Sequence, residues 1–403
     1  MSPISAIRNT CRSILQPVLL SSWTVPLAWS SLTLFVCVGA VSADTIHVNA
    51  EGTGQYATVQ AAIDAAVDSD VIELAPGTYR GLGNRDLTYG GKAITIRSET
   101  DSPETCVIDC EGTEAEPHRG FIFASGETRA AALQGVTITH GWSDGGGGIL
   151  IESGSSPTVR LCVITGNTAE YPGNGYGGGI DCSGGALIDG CFITDNVAGN
   201  RGGGISTHNA EGAQIVDCTI LRNRAEDGGG VHCRENAAIT RCLIADNEAA
   251  WGDGWGGGIS CRNHSSVISH CTLAGNSAIE GGAIAFYSGA TDVQYCVIAT
   301  SLAGGAFAIV GGTSPSPEVL CTDIFGNIGG AGDTLLPGMI DGGGLIFLDP
   351  KFCAPDRGDY TVDVESPCLS HECGQMGAFG AGCDILPVEE TTWGAIKARY
   401  QRQ

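Results

Sequence analysis

The sequence is organised around an internal repeat whose copies lie 24 to 29 residues apart. Each copy has a glycine run followed by an apolar residue, a short turn, a Cys-x-apolar step and an asparagine. The clear glycine runs begin at Gly146, Gly177, Gly202, Gly228 and Gly256, and weaker runs begin at Gly281 and Gly304. The matching cysteines are Cys162, Cys191, Cys218, Cys242, Cys271, Cys296 and Cys321. A repeat of this length is typical of a solenoid, in which each coil contacts only its neighbours.

Apolar residues within a copy alternate, as Ile180 and Cys182 do, or Cys242 and Ile244. A period of two predicts short strands with one face turned inward. Helical repeats are disfavoured because no copy holds a glycine-free stretch with helical periodicity. Three short strands per copy predict a parallel β-helix of roughly 10–12 coils, stacked about 4.8 Å apart, over residues 45–350. We expect glycine to supply the left-handed backbone angles at the corners.

A second column of the repeat is polar. An asparagine follows the cysteine by five residues in five copies, at Asn167, Asn196, Asn223, Asn247 and Asn276. Identical amide side chains stacked at strand spacing can bond from one coil to the next. The sequence therefore predicts an asparagine ladder inside a turn. Asn327 follows Cys321 by six residues, which predicts one extra residue in that coil.

A solenoid needs covered ends, because an open end exposes unpaired strand edges. Residues 58–66 predict an amphipathic helix with Thr58 as its N-cap, and a strand at Val71–Leu74 follows. The segment from Tyr56 reads YATVQAAIDAAVDSDVIELAPGTYRG. It resembles the N-terminal cap and first coil of the pectin-lyase-like family, and the repeats resemble secreted bacterial β-helix proteins. The resemblance implies an all-β, right-handed parallel β-helix solenoid with an N-terminal helix cap.

The N-terminal segment predicts export. Residues 1–43 contain Arg8 and Arg12 without an acid, then an apolar run that ends in Val-Ser-Ala before Asp44, as in a secretory signal. A lipoprotein site at Cys37 and a retained membrane anchor stay open as alternatives. The predicted division is 1–43 signal peptide, 44–350 β-helix with clear repeats over 145–333, 351–386 cysteine-containing closing segment, and 387–403 linker with a short helix. The expected location is outside the cell or on a bacterial cell surface.

The charge of the chain excludes several partners. The formal net charge is −24, and lysine occurs only three times. Such a surface repels nucleic acid and anionic membranes alike. An extracellular polysaccharide or a surface glycan remains as the expected partner. No membrane span is expected after signal cleavage, and the sequence leaves the oligomeric state open.

Eighteen cysteines are unusual for a reducing compartment. The cysteines of the repeat can form a stacked ladder of buried free thiols, or they can form disulfides between coils or across the core, as between Cys182 and Cys191. Six cysteines outside the repeat are stronger candidates for disulfides: Cys106, Cys110, Cys353, Cys368, Cys373 and Cys383. Zinc is disfavoured because no Cys-x-x-Cys pair occurs.

Alignment of the copies places basic and acidic residues together on outward strand positions. These candidates for catalysis are Asp181, His208, His232, Arg234 and Arg262. On an exposed face they could hold a uronate carboxylate or a sulfate, with arginine as a bidentate donor and histidine as acid or base. The alternative is an ordinary solvated sheet face.

The loops between the asparagine and the next glycine run carry aromatic residues along one edge. The candidates for stacking on sugar rings are Trp142, Tyr171, Tyr176, Trp251 and Trp255. No cofactor is expected, except that Asp227, Asp253 and Glu280 on neighbouring coils are weak candidates for a Ca²⁺ site. The alternative for the aromatics is packing against their own loops.

Two functions follow from these features. The family that the chain resembles includes lyases, hydrolases, esterases, adhesins and structural proteins, and the sequence lacks the catalytic signatures of its pectin methylesterases and polygalacturonases. The favoured hypothesis is a non-catalytic exported β-helix that displays loops for adhesion or carbohydrate contact. The alternative is a polysaccharide lyase or glycoside hydrolase that acts on uronate glycans at the His/Arg/Asp face.

Overall fold

The structure is a computed structural model that describes residues 43–170, 175–208, 212–262, 266–311 and 316–383. It is a right-handed parallel β-helix, and each coil adds one strand to each of three long sheets. The first of these sheets has 12 strands, which corresponds to about 11 turns. The predicted fold class and coil number are confirmed.

The strands of each sheet follow one another along the helix axis. The first sheet contains Thr45–Val48, Val71–Leu74, Thr95–Ser98, Ala132–Gln134, Thr158–Arg160, Leu187–Asp189, Gln214–Val216, Ala238–Thr240, Val267–Ser269, Asp292–Gln294, Glu318–Leu320 and Ile340–Asp341. The second contains Gly77–Tyr79, Cys106–Asp109, Thr137–Thr139, Val163–Thr165, Phe192–Thr194, Thr219–Leu221, Leu243–Ala245, Thr272–Ala274, Val297–Ala299 and Asp323–Phe325. The third contains Leu87–Thr88, Phe121–Phe123, Ile149–Ile151, Ile180–Cys182, Ile205–Thr207, Val231–Arg234, Ile259–Arg262, Ile284–Phe286 and Phe307–Ile309. A short fourth sheet contains Trp142–Ser143, Thr168–Ala169, Val197–Ala198, Arg224–Ala225 and Glu248–Ala249, and Phe352–Ala354 pairs antiparallel with Asp359–Val362.

The α-helix Val59–Ala65 forms the predicted cap at the N-terminal end. Its N-cap Thr58 accepts a hydrogen bond from the Ala61 N–H at 3.3 Å, and its buried residues Val59, Ala62 and Ile63 join the core of the solenoid. In the described part of the chain, short 3₁₀ helices span Pro103–Thr105 and Pro355–Arg357. Among the described residues, no helix is long and apolar enough to cross a membrane. The predicted signal peptide (1–43) and C-terminal helix (387–403) lie outside the described residues, apart from Ala43 of the former.

The glycine runs make the sharp turn into the third sheet. Gly228 has φ +63°, and a Cβ at this position would collide with the Val231 carbonyl. Two residues on, a Cβ on Gly230 would lie 2.7 Å from the Gly258 carbonyl of the next coil. At the corner before the repeat cysteine, Gly190 has φ +60°, whereas Asp217 and Arg241 adopt φ +53° at the same position in their coils. Glycine therefore supplies left-handed angles at corners, as predicted, and other residue types supply them as well.

The asparagine ladder forms as predicted. The Nδ2 of Asn223 donates to the Ile193 carbonyl at 2.9 Å and to the Oδ1 of Asn247 at 3.0 Å. Its Oδ1 accepts from both the backbone N–H and the Nδ2 of Asn196 at 3.0 Å. Asn167 and Asn276 continue the same pattern, and all of these side chains are buried. Each amide therefore holds the turns of two adjacent coils in register.

The cysteine column ends one coil earlier than the sequence predicts. In the coil of Cys321 the inward position is taken by Thr322, whose hydroxyl accepts from the Cys296 N–H at 3.4 Å. The same contact links Cys218 N–H to the sulfur of Cys242 farther up the column. Asn327 thus keeps the usual spacing of five from the inward residue, and the predicted extra residue is not there. Cys321 sits at the corner with φ +47°.

The disulfide predictions are confirmed only in part. Cys353 bonds to Cys383 within the C-terminal closing segment, and Cys373 bonds to Cys321, which links this segment to the solenoid. The predictions for Cys106, Cys110 and Cys368 are wrong, because these residues are buried free thiols. Cys106 and Cys110 lie in the core, and Cys368 donates to the Asp323 carboxylate at 3.2 Å.

The remaining repeat cysteines form the ladder of free thiols. Cys162, Cys191, Cys218, Cys242, Cys271 and Cys296 are all buried and unbridged. Burial raises the pKa of Cys162, Cys191, Cys218 and Cys296, and it raises the pKa of Cys182, which faces the core from the third sheet, to about 11. A buried thiol with a raised pKa is a poor nucleophile and behaves as a small apolar side chain.

We expect Asn223→Ala to lower the free energy of unfolding by roughly 3–5 kcal/mol, because the change removes four hydrogen bonds and leaves buried groups unpaired. Urea denaturation measures the difference. Asn200→Ala is the matched control, since the described residues offer that side chain no hydrogen bond and the expected change is about 0.5 kcal/mol or less. Equal losses in the two variants would contradict a structural role for the ladder.

We expect the exported chain to react with a thiol reagent only after unfolding. The twelve free cysteines among residues 43–383 that the structure describes, all buried, should become reactive in denaturant, and reduction of the two disulfides found there should add four more. The measurement is a thiol titration in native, denatured, and denatured and reduced samples. Fewer than twelve thiols in the denatured, unreduced sample would show that the ladder contains additional disulfides.

Candidate functional site

The outer face of the third sheet carries a central column of side chains, one from each coil. The register places these residues directly over one another, as the alignment of the copies predicted: Leu150, Asp181, Ser206, His232, Ser260 and Ala285. Two further columns flank it. The leading column precedes the glycine runs and consists of Gly145, Tyr176, Arg201, Asp227, Trp255 and Glu280. The trailing column lies two residues after the central one and includes Ser183, His208, Arg234, Arg262 and Tyr287.

Side chains of the two flanking columns meet above the central column. The Arg262 Nη2 lies 2.7 Å from a carboxylate oxygen of Asp227 in the leading column. The Tyr176 ring stands edge-on to the His208 ring with centroids 5.2 Å apart, and Trp255 lies 5.7 Å from Tyr287. The central column is therefore covered although it points away from the core.

Because the central column is covered, the five predicted catalytic residues differ in their exposure to solvent. Asp181 is 5% exposed and His232 is 1% exposed, so the expectation of an exposed face is wrong for these two residues. His208, Arg234 and Arg262 are half-buried. The structure brings all five residues onto one face, where His208, Arg234 and Arg262 are more exposed than Asp181 and His232.

His232 lies in a strongly positive environment. Neither of its ring nitrogens has a hydrogen-bond partner. Burial lowers the pKa of His232 well below its usual value, and the nearby Arg201, Arg262, His208 and Arg234 lower it further. The ring is therefore neutral and cannot serve as an acid or base for a bulky substrate.

Arginines outnumber carboxylates around His232. Asp227 is shared by Arg262 at 2.7 Å and by Arg201 at 3.8 Å, whereas Arg234 has no acidic partner in the described part of the chain. Burial raises the pKa of Asp227, and the two arginines oppose that rise. Three arginines, Arg201, Arg234 and Arg262, therefore act on His232, whereas Glu226 and Asp253 act on Asp227.

One coil toward the N-terminus, three side chains form a chain of contacts. The Oγ of Ser183 lies 2.8 Å from the Nε2 of His208, and the Nδ1 of His208 lies 3.0 Å from the Oδ1 of Asp181. The second contact falls outside hydrogen-bond angles. Burial raises the pKa of the Asp181 carboxyl, and the adjacent His208 ring acts against that rise.

A cavity of about 340 Å³ opens beside this chain of contacts. Its walls include Ser183, His208 and Asp181, and also Arg119, whose Nη2 lies 3.1 Å from Asp144. The remaining lining residues are Asp144, Gly145, Leu150, Glu152 and Ser153. The cavity therefore offers hydroxyl, imidazole, guanidinium and carboxylate groups to one ligand.

Arginine side chains lie against several of the aromatic residues that were predicted along one edge of the solenoid, which we call the aromatic ridge. The guanidinium of Arg201 lies 5.2 Å from the centre of the Tyr176 ring, that of Arg224 lies 5.3 Å from Trp251, and that of Arg262 lies 5.4 Å from Trp255. The indole N–H of Trp251 also donates to the Gly199 carbonyl at 3.1 Å. Trp142 is half-buried in the fourth sheet, and Tyr171 lies outside the described residues. These contacts restrict the ring faces that a sugar could stack on.

The candidate calcium ligands are not gathered into one site. Asp227 is held by two arginines, whereas Asp253 and Glu280 are exposed. Within the described ranges, no group of three or more His, Cys, Asp or Glu side chains is placed to hold a metal ion.

Sequence reasoning missed four residues of this face. Ser183 and Tyr287 stand in the trailing column, where the alignment had already placed them, but neither was a candidate. Arg201 directly precedes a glycine run, and Arg119 lies before the clear repeats. The signal that could have identified Ser183 is its position one coil before His208.

Comparison with known proteins agrees with this architecture. A family profile described as "Right handed beta helix region" matches residues 118–298. The crystal structure of pectate lyase Pel9A superposes with a TM-score of 0.54, and the match covers 85% of this chain and 98% of that one. The chain is a right-handed β-helix protein with the pectin-lyase-like fold.

The sequence identity between this β-helix protein and pectate lyase Pel9A is 13%, so the likeness concerns the fold alone. Pectin methylesterase from carrot aligns with a TM-score of 0.36 and 13% identity, over 78% of this chain and 90% of that one. No curated protein matches the sequence.

We expect His232 to make the stability of the β-helix protein depend on pH. Its pKa lies well below the value of about 6.5 found in unfolded chains, so the unfolded state binds the proton more tightly. Its contribution to stability is therefore present above about pH 6.5 and is lost as the pH falls. His232→Gln should remove up to about 1.4 kcal/mol of loss per pH unit between pH 6 and 5, measured by denaturation at several pH values. Parallel pH profiles for the two proteins would contradict this assignment.

Proposed function

We propose that this β-helix protein binds an acidic, uronate-containing glycan along the outer face of its third sheet. The observation that carries the proposal is Arg234, a half-buried guanidinium without a carboxylate partner among the described residues, next to the unpartnered ring of His232. A guanidinium in this situation can bind a ligand carboxylate through two parallel hydrogen bonds. A glycan bound here would supply the negative charge that the face lacks.

The neighbouring side chains support a sugar ligand. The ring centres of Trp255 and Tyr287 lie 5.4 Å and 4.4 Å from the Arg262 guanidinium and 5.7 Å from each other, and all three residues are half-buried. Aromatic and guanidinium groups in one wall suit a ligand that has both apolar ring faces and carboxylates. The acidic remainder of the surface would repel the polymer elsewhere, which favours a single line of contact.

The register of the sheet suits an extended polymer. Arg234 and Arg262 are directly paired in neighbouring strands, so their backbone positions are one strand spacing apart, about 4.8 Å. A linear polyuronate also carries its carboxylates at regular intervals. The fold of pectate lyase Pel9A, whose name refers to a uronate polymer, makes polygalacturonate the first ligand to test.

Arg234→Gln should weaken the binding of polygalacturonate about tenfold or more, because one charge-assisted contact is lost. Affinity electrophoresis in gels that contain polygalacturonate measures the dissociation constant. Arg160→Gln, an exposed position on the first sheet, is the matched control and should bind like the unmodified protein. Neutral galactan should retard none of these proteins.

The proposal is wrong if polygalacturonate and other uronate polymers fail to retard the unmodified protein. It is also wrong if Arg234→Gln and Arg160→Gln bind with equal affinity. The distinction between simple binding and the lyase or hydrolase alternative rests on product analysis of the same polymer. Unsaturated or shortened products would favour the enzymatic alternative.

Export is part of this proposal. The two disulfides fit a protein that matures in an oxidising, extracellular environment. The apolar N-terminal segment that ends at Ala43 predicts the signal for this route. The N-terminal sequence of the protein recovered from the medium or the cell surface tests it, because Asp44 is the expected first residue.

A further inference from the structure

We propose that Ser183, His208 and Asp181 form a serine hydrolase site that cleaves small carboxylic esters. The site goes beyond the proposed glycan binding and does not depend on it. It lies at the N-terminal side of the Arg234 region and uses Ser183, which does not take part in the glycan contacts described above. The argument rests on the order of the three groups, their burial and the cavity beside them.

The contacts run in the order that nucleophilic catalysis by serine requires. The hydroxyl of Ser183 lies 2.8 Å from one nitrogen of His208, and the other nitrogen lies 3.0 Å from Asp181. Each residue of such a triad is recognised by geometry and role, because the same constellation recurs on unrelated folds. The unfavourable angle between His208 and Asp181 is of the kind that tightens when a substrate binds.

The three residues differ in how far their side chains are exposed. The side chain of Asp181 is 7% exposed and that of His208 is 18% exposed, Ser183 is half-buried, and all three line the cavity. A buried carboxylate holds the imidazole in one tautomer and orientation. The edge-on ring of Tyr176 further limits the movement of His208.

Backbone hydrogen bonds fix the relative positions of these side chains. The Ser183 N–H donates to the Ile151 carbonyl at 2.7 Å, and the His208 N–H donates to the Cys182 carbonyl at 3.0 Å. Ser183 and His208 therefore belong to consecutive coils of the solenoid. Each residue directly follows a strand of the third sheet, so the paired strands limit how far the two side chains can move apart.

The cavity matches an acyl group and its leaving alcohol. Its volume of about 340 Å³ accommodates a short acyl chain and part of a sugar-sized alcohol. Arg119 is the guanidinium in this cavity and can stabilise negative charge that develops on a carbonyl oxygen. Glu152 and Asp144 can accept hydrogen bonds from the hydroxyl groups of the alcohol.

The reaction then has two halves. The Ser183 Oγ forms a bond to the ester carbonyl carbon while His208 Nε2 takes its proton, and collapse of the tetrahedral intermediate breaks the bond to the alcohol oxygen, which receives the proton from His208. Water next attacks the acyl-serine in the same manner. This step releases the carboxylic acid and restores the Ser183 hydroxyl, so that no cofactor or oxidant is consumed.

Two measurements test the site on the full exported chain. A fluorophosphonate probe should label Ser183, as located by mass spectrometry, and p-nitrophenyl acetate should be hydrolysed. Ser183→Ala should lose the label at this position and reduce kcat/KM about 1,000-fold or to the uncatalysed level. Ser370→Ala, which alters an exposed serine of the C-terminal closing segment outside the cavity, should keep both activities.

Asp181 is a positioning residue, so its variant needs a different readout. Asp181→Asn should lower kcat about 100-fold or more and leave KM unchanged, because the carboxylate orients His208 without contacting the substrate. Thermal unfolding of each variant distinguishes loss of activity from loss of the fold.

The proposal is overturned if Ser183 is not labelled, or if hydrolysis in a folded Ser183→Ala variant equals that of the unmodified protein. These outcomes are independent of the glycan test. Ser183→Ala should still bind polygalacturonate, and Arg234→Gln should still be labelled at Ser183. Failure of one proposal is therefore distinguishable from failure of the other.

Discussion

The coil-to-coil hydrogen bonds of the asparagine ladder and the parallel sheets are the constraint on which the rest of this structure depends. Asn196, Asn223 and Asn247 each hold the amide of a neighbouring coil, so a coil cannot slip by one residue without leaving several buried polar groups unpaired. The length differences between copies are therefore absorbed in the loops. Residues at equivalent positions stack as columns, and the candidate sites exist only because those columns are in register.

The sequence predicts the fold well because each recurring residue has a local task. Gly228 is needed where the chain turns against its own strand, and Asn223 is needed where a turn must bond to the next coil. Such requirements repeat with the period of the coil and can be counted directly in the sequence. The predicted cysteine column fails where a neighbouring residue takes the inward position. Thr322 does so in the last coil of the column, and Cys321 forms a disulfide instead.

The candidate site is less predictable, because it depends on side chains that meet across columns. The alignment places His232 and Arg234 on outward positions, but it does not show that Arg262 and Asp227 close over His232. It also places Ser183 one coil before His208 without showing the 2.8 Å contact between them. Sequence spacing thus identifies the columns, whereas the loop geometry decides which members are buried and which face a ligand.

Arginine has a double role on this face. Arg201, Arg224 and Arg262 each lie against an aromatic ring of the leading column or its loop, and these contacts keep the guanidinium groups in defined positions. In a chain with a net charge of −24, such arginines are also the local source of positive potential. The same arginines therefore pack against the aromatic rings and supply the positive potential of the sheet face. Removal of a ring should change both the packing and the position of the positive charge.

The two proposed sites have a geometric relation that follows from the register. Ser183 and Arg234 belong to the same trailing column and are separated by two coils, which corresponds to about 10 Å along the axis. That distance is close to the length of two sugar residues in an extended polymer. A uronate held at Arg234 would place a nearby sugar of the same chain beside the cavity that contains Ser183. An acyl ester on an acidic glycan is thus the one substrate class that would use both the positive face and the hydrolytic site.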